Sequence, residues 1–148
     1  MAWVTLSVDR VKTRLTAMES TAIQSVLTDA GDVDPLPDIV TQVVLEIRGY
    51  ISGSGRKLNV GITIPESLIN CAISRIRYEL ANAIPSASLM TPERIRENDA
   101  AHELLKMIKL EGFIPESATD VDPQHVHYNM PDSRPKDLKY DQAAQNGL

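Results

Sequence analysis

Three aspartates close together, Asp29, Asp32 and Asp34, are oxygen donors of the kind that hold a hard cation. A helix–loop–helix calcium loop needs oxygen ligands at its first, third, fifth and twelfth positions and glycine at its sixth. A loop starting at Asp29 puts Gly31, Val33 and Val40 at ligand positions, and one starting at Asp32 puts Leu36 at the fifth. The run therefore reads as an acidic turn ahead of a helix. His125 and His127 can share one side of a strand near Asp120, Asp122 and Asp132. Two imidazoles with no cysteine and no fixed acid spacing make a poor metal site, and solvent-facing strand positions account for them better. His102 stands beside an apolar stripe with no nucleophile near it in sequence. Cys71 neighbours an apolar helical face, where a free cysteine acts as a small hydrophobe. Ser52-Gly-Ser-Gly-Arg-Lys57 lacks the spacing of a phosphate-binding loop and follows a helix rather than a strand. With no nucleophile–base pair and no ligand set, the expectation is a non-enzyme without cofactor or metal.

The composition narrows the class. Apolar residues make up 43% of the 148, but aromatics only 4%, so any core is aliphatic and suits packed helices better than a β-sandwich. A net charge of −5 argues against a grip on nucleic acid through phosphates. Arg10, Lys12 and Arg14 supply at most a small basic patch. One cysteine forms no internal disulfide, and no apolar run approaches the ~20 residues that span a bilayer. The first residues lack the regions of a signal peptide. A host cytoplasm, or a particle assembled there, is the expected location.

The elements that would position these residues are helical. Ser7 caps a short helix over Val8 to Leu15, with Asp9 in its first turn. Thr16-Ala-Met-Glu19 has capping-box spacing and opens a second helix to about Thr28, burying Met18, Ala22 and Val26, with Ile23 and Leu27 beside them. Leu36, Ile39, Val40, Val43, Val44, Ile47 and Ile51 repeat at three and four, which predicts a helix over Pro35 to Ile51. Arg56 to Ile64 reads as a loop or short extended piece. Pro65 to Ala83 is a fourth helix, with Arg75 and Glu79 pairing on its outer face. Thr91-Pro-Glu93 opens a fifth, whose buried side would be Ile95, Ala101, Leu104, Leu105 and Ile108. Gly112 ends it.

The predicted architecture is all-α, a bundle of about four to five helices over residues 1–112, followed by an extended, partner-binding tail over 113–148. The tail carries Pro115, Pro123, Pro131 and Pro135 and no helical period. Within it His125-Val-His-Tyr-Asn-Met130 alternates polar and apolar, placing Val126, Tyr128 and Met130 on one side of a strand. Such a strand satisfies its backbone by joining another protein's sheet, so these three are the candidate partner-binding residues. Fully extended, 36 residues reach up to roughly 120 Å.

The order of elements, with Ile47-Arg-Gly-Tyr-Ile51 near the end of a long helix, Ile64-Pro-Glu-Ser-Leu68, Ile76-Arg-Tyr-Glu-Leu80, and Thr91-Pro-Glu-Arg-Ile-Arg96 leading through Asp99-Ala100 and Leu104-Leu105 to Gly112, resembles the head–tail connector (adaptor) proteins of tailed phages, especially the Mu-like prophage connector family. The resemblance covers roughly residues 5 to 116. It implies a structural protein of the virion neck, self-associating in a twelve-fold ring under the portal protein and presenting a platform to a stopper or tail-completion protein. DNA would pass through the channel without specific binding, helped by about −60 of summed charge. Three other readings compete. One is another neck or tail-completion part, a class that tends to be β-rich. A second is a small helical regulatory or inhibitor protein that captures a host target through its tail. A DNA-binding packaging subunit is the third.

Overall fold

The structure, a computed structural model, describes residues 2–29 and 33–112 and is all-α apart from one short ribbon. Five α-helices, α1 (Val8–Lys12), α2 (Ala17–Asp29), α3 (Leu36–Gly53), α4 (Ile69–Ala83) and α5 (Pro92–Glu111), are joined by β1 (Trp3–Thr5) and β2 (Thr63–Pro65). The candidate strand with Val126, Tyr128 and Met130, and His125 and His127 with it, lies outside the described residues, as does Asp32.

The capping chemistry sets most of the helix ends. Ser7 Oγ accepts from Arg10 N at 3.2 Å and starts α1. At α2 the capping box closes in both directions: Glu19 N donates to Thr16 Oγ1 at 3.3 Å, and Thr16 N donates to Glu19 Oε2 at 2.7 Å. Asp34 Oδ1 accepts from Leu36 N at 2.9 Å ahead of α3. Thr91 Oγ1 accepts from Arg94 N at 3.2 Å at the start of α5, and Gly112, left-handed at φ 64°, ends it by donating to Ile108 O at 2.7 Å. The first helix is shorter than its sequence suggests, stopping at Lys12, where Thr13 Oγ1 turns back onto Arg10 O. A single 3-10 turn, Glu66–Leu68, precedes α4 because Pro65 holds the chain extended.

Helices α3, α4 and α5 pack on one another and form the body. Leu36, Val43, Val44, Ile47 and Ile51 of α3 meet Ala72, Ile76 and Leu80 of α4 and Ala101, Leu105 and Ile108 of α5, all buried. Since every one is aliphatic, the core is held by area removed from water rather than by ring contacts. Lys109 lays its stem across Gly53, where a methyl group would already touch it at 3.5 Å. Arg48, buried on α3, donates to Thr63 O at 2.7 Å and Asn59 O at 2.9 Å, fixing the connection that leads into β2.

The ribbon is a departure from the sequence reading, which gave the first residues no strand. Trp3, Val4 and Thr5 pair antiparallel with Pro65, Ile64 and Thr63. Three other expectations are corrected. Met18 is exposed, because Glu19 takes the inward place in the first turn of α2. Ile95 and Leu104 are exposed too, because the buried stripe of α5 runs through Arg94, Asn98, Ala101, Leu105 and Ile108. Arg75 is buried rather than outward, although it does pair with Glu79 at 3.0 Å.

Candidate functional site

The residues with chemical potential divide into those that hold the fold and those that face outward. Cys71 belongs to the first group. It is buried on α4 with its Sγ donating to Ala101 O at 3.6 Å. Burial pushes its thiol up to about 12 against the opposing pull of Arg75, so at neutral pH it is a protonated, unreactive wedge between α4 and α5. Asp34 is spent on the α3 cap. Arg56, from the connection over residues 52–57, donates through Nε to Gly112 O and ties that connection to the end of α5. Among the described residues no group of three or more His, Cys, Asp and Glu side chains is placed to hold a metal ion.

The most developed polar constellation was missed in sequence. Glu19, 1% exposed, is reached by two guanidinium groups. Arg77 Nε donates to its Oε1 at 3.0 Å, and Arg94 Nη2 lies 2.7 Å from the same oxygen. With the Thr16 N–H on Oε2, the carboxylate joins α2 to α4 and α5 at one point. Glu97 balances the second positive charge at 3.2 Å from Arg94. A parallel cluster centres on Arg75. Its Nη1 donates to Asn98 Oδ1 at 2.6 Å, and its Nη2 to Glu46 Oε2 and Glu79 Oε1, each at 3.0 Å. That cluster joins α3, α4 and α5. Charge is matched in the Glu19 cluster, two arginines against two glutamates, while Arg75 faces two carboxylates, and each cation sits between fixed oxygens, so the arrangement sets how the helices lie on one another.

The signal that would have found these clusters was present. Arg94 and Asn98 fall on the stripe of Ala101, Leu105 and Ile108 at helical spacing. A reading that requires apolar residues keeps Ala101, Leu105 and Ile108 but takes in Ile95 and Leu104 instead of Arg94 and Asn98.

Outward-facing features are of two kinds. An open depression of about 550 Å³ between α3 and α5 is lined by Tyr50, Asp99, His102, Glu103 and Lys106, and a smaller one of about 270 Å³ by Glu46, Gly49, Tyr50, Gly53 and Lys109. Both mix charges of either sign. The second kind is apolar. Leu104, Met107 and Leu110 lie on the outer side of α5, with Leu110 85% exposed. Each is three residues from the next, so they fan from Leu104 at the flank of the buried stripe to Leu110 on the side away from it. Leu45, Val60 and Ile62 are also exposed elsewhere on the body. Large apolar side chains grouped on one helix face are a mark of an interaction surface. No helix among the described residues is long and apolar enough to cross a membrane. No protein-family model, no curated protein and no solved structure matches the chain.

Proposed function

We propose that this chain is a structural protein of a phage neck, a head–tail connector that forms a ring under the portal protein and links the DNA-filled head to the tail. The observation that carries the reading is the second apolar face of α5. A helix that already buries Ala101, Leu105 and Ile108 inward carries Leu104, Met107 and Leu110 outward. The described residues leave the second set exposed, and subunit packing in a ring would cover it. The order and ends of α3, α4 and α5 agree with the elements on which the resemblance to the Mu-like prophage connectors rests. The two arginine-centred clusters suit a part that must hold its shape under load, since they fix the helices to one another at defined points. The tail, through Val126, Tyr128 and Met130, is the segment that reaches neighbouring neck proteins.

Quantitative mass spectrometry of gradient-purified phage particles from the source system tests the proposal. About a dozen copies per particle, equal to the portal count, is the expected result. Absence from particles, with the chain free in the cell, overturns it and leaves the tail-borne inhibitor as the reading to pursue.

A further inference from the structure

The two edges of the β1–β2 ribbon are treated differently, and the difference follows from the register. Trp3 faces Pro65, Val4 faces Ile64 and Thr5 faces Thr63, and Glu66 N donates to Ala2 O at 2.9 Å. Hydrogen-bonded and non-hydrogen-bonded pairs alternate along an antiparallel ladder. Ala2–Glu66 and Val4–Ile64 are therefore the bonded pairs, and the backbone groups of Trp3, Thr5, Thr63 and Pro65 point away from the ribbon. On β2 this outer edge is closed. Thr63 O accepts from Arg48 Nη1 at 2.7 Å, and Pro65 has no N–H to offer. On β1 it is open. Among the described residues no hydrogen bond reaches the backbone of Trp3 or Thr5, and the Trp3 indole Nε1 is buried without a partner. Thr5 itself is exposed. Sheets ordinarily blunt an unpaired edge with proline, charge or cover, and here only one edge has been blunted.

We propose that the open edge of β1 is an acceptor for a third strand, and that the strand is Val126-His-Tyr-Asn-Met130 of a second copy of this chain. The donor has the alternation of a strand, is bracketed by Pro123 and Pro131, and has backbone groups to satisfy. Thirteen residues lead from Gly112 to His125, a reach of up to roughly 45 Å, enough to cross to a neighbour. Each copy carries one donor and one acceptor, so donation runs head to tail, the pattern that closes into a ring. The proposal rests on the reading of the tail as the docking segment and names the surface that receives it.

Amide hydrogen exchange on the full chain, followed across protein concentration, tests it. The Trp3 and Thr5 amides should slow at least tenfold as the chain self-associates. That protection should vanish in the triple variant Val126→Ser, Tyr128→Ser, Met130→Ser. Protection of the Trp3 amide should also vanish in Thr5→Pro, which removes an outward N–H but none of the ladder bonds of Val4, with the helical circular dichroism of both variants unchanged. Protection that is the same at every concentration overturns the second-copy donor. Protection that survives the triple variant overturns the donor segment, and Trp3 and Thr5 amides that stay fast in the associated protein overturn the acceptor edge. About a dozen copies per particle with unprotected Thr5 would leave the connector reading standing and remove this one. Protected Thr5 in a chain absent from particles would do the reverse.

Discussion

The inner and outer faces of α5 differ in what accompanies their leucines. Inward, Leu105 is fully buried and Ala101 and Ile108 nearly so, and the same stripe carries Arg94 and Asn98 into polar clusters with Glu19 and Arg75. Outward, Leu104, Met107 and Leu110 are left exposed by the described residues, Leu110 most of all. The inner face thus combines apolar area, which is undirected, with charge pairs that fix where each helix sits. The outer face interleaves its apolar side chains with exposed charges, and the pair it forms, Lys106 Nζ to Glu103 Oε1 at 2.9 Å, stays within the helix. Contacts that cross between helices belong to the fold, and exposed apolar area is what an assembly can cover.

The comparison breaks most severely at Glu19. Replacing it with Ala strands the buried guanidinium of Arg94 and the half-buried one of Arg77 and removes half of the α2 capping box. A loss of about 3–5 kcal/mol in denaturant unfolding is expected, and Arg94→Ala should approach it. Leu105→Ala, which leaves a cavity among α3, α4 and α5, should cost about 3 kcal/mol in the same measurement. Leu104→Ser and Met107→Ser should each change stability by about 0.5 kcal/mol or less, because these side chains are solvated in the single chain. An outer-face cost equal to that of Leu105 would erase the distinction.

Cys71 sharpens the inner face chemically. With its thiol pushed up from 9.0 to about 12, it should resist a thiol reagent at pH 8 in the folded protein and react at the ordinary rate once unfolded. Because the folded value lies above the unfolded one, the thiol's stabilising contribution is complete below pH 9.0 and is lost as pH rises toward about 12. Cys71→Ala should flatten that part of a stability–pH curve.

Much of the body could be read from the chain, because its signals are local. Ser7, the Thr16–Glu19 box, Thr91 and Gly112 each act within four residues, and the α3 face repeats seven times before any partner is needed. What could not be read depends on distant partners. The strand Trp3–Thr5 is three residues long and exists because residues 63–65 lie beside it. Glu19 looked like a cap and is one, but its burial depends on Arg77 and Arg94, more than 55 residues away. For the same reason only part of the α5 stripe is legible: Ala101, Leu105 and Ile108 are buried as their spacing implies, while Arg94 and Asn98 are inside only because Glu19 and Arg75 wait for them. Of the candidate site, Leu104 reads as core at helical spacing, Met107 and Leu110 carry no sequence signal of their own, and Val126, Tyr128 and Met130 lie beyond the described residues.

The measurement that tests the central claim most directly is copy number per purified particle when a Leu104→Ser, Met107→Ser, Leu110→Ser chain replaces the natural one. The expected result is a folded protein with wild-type unfolding stability that falls from about a dozen copies per particle to almost none. Incorporation at the natural level would contradict it, and the outer face of α5 would then have no part in assembly.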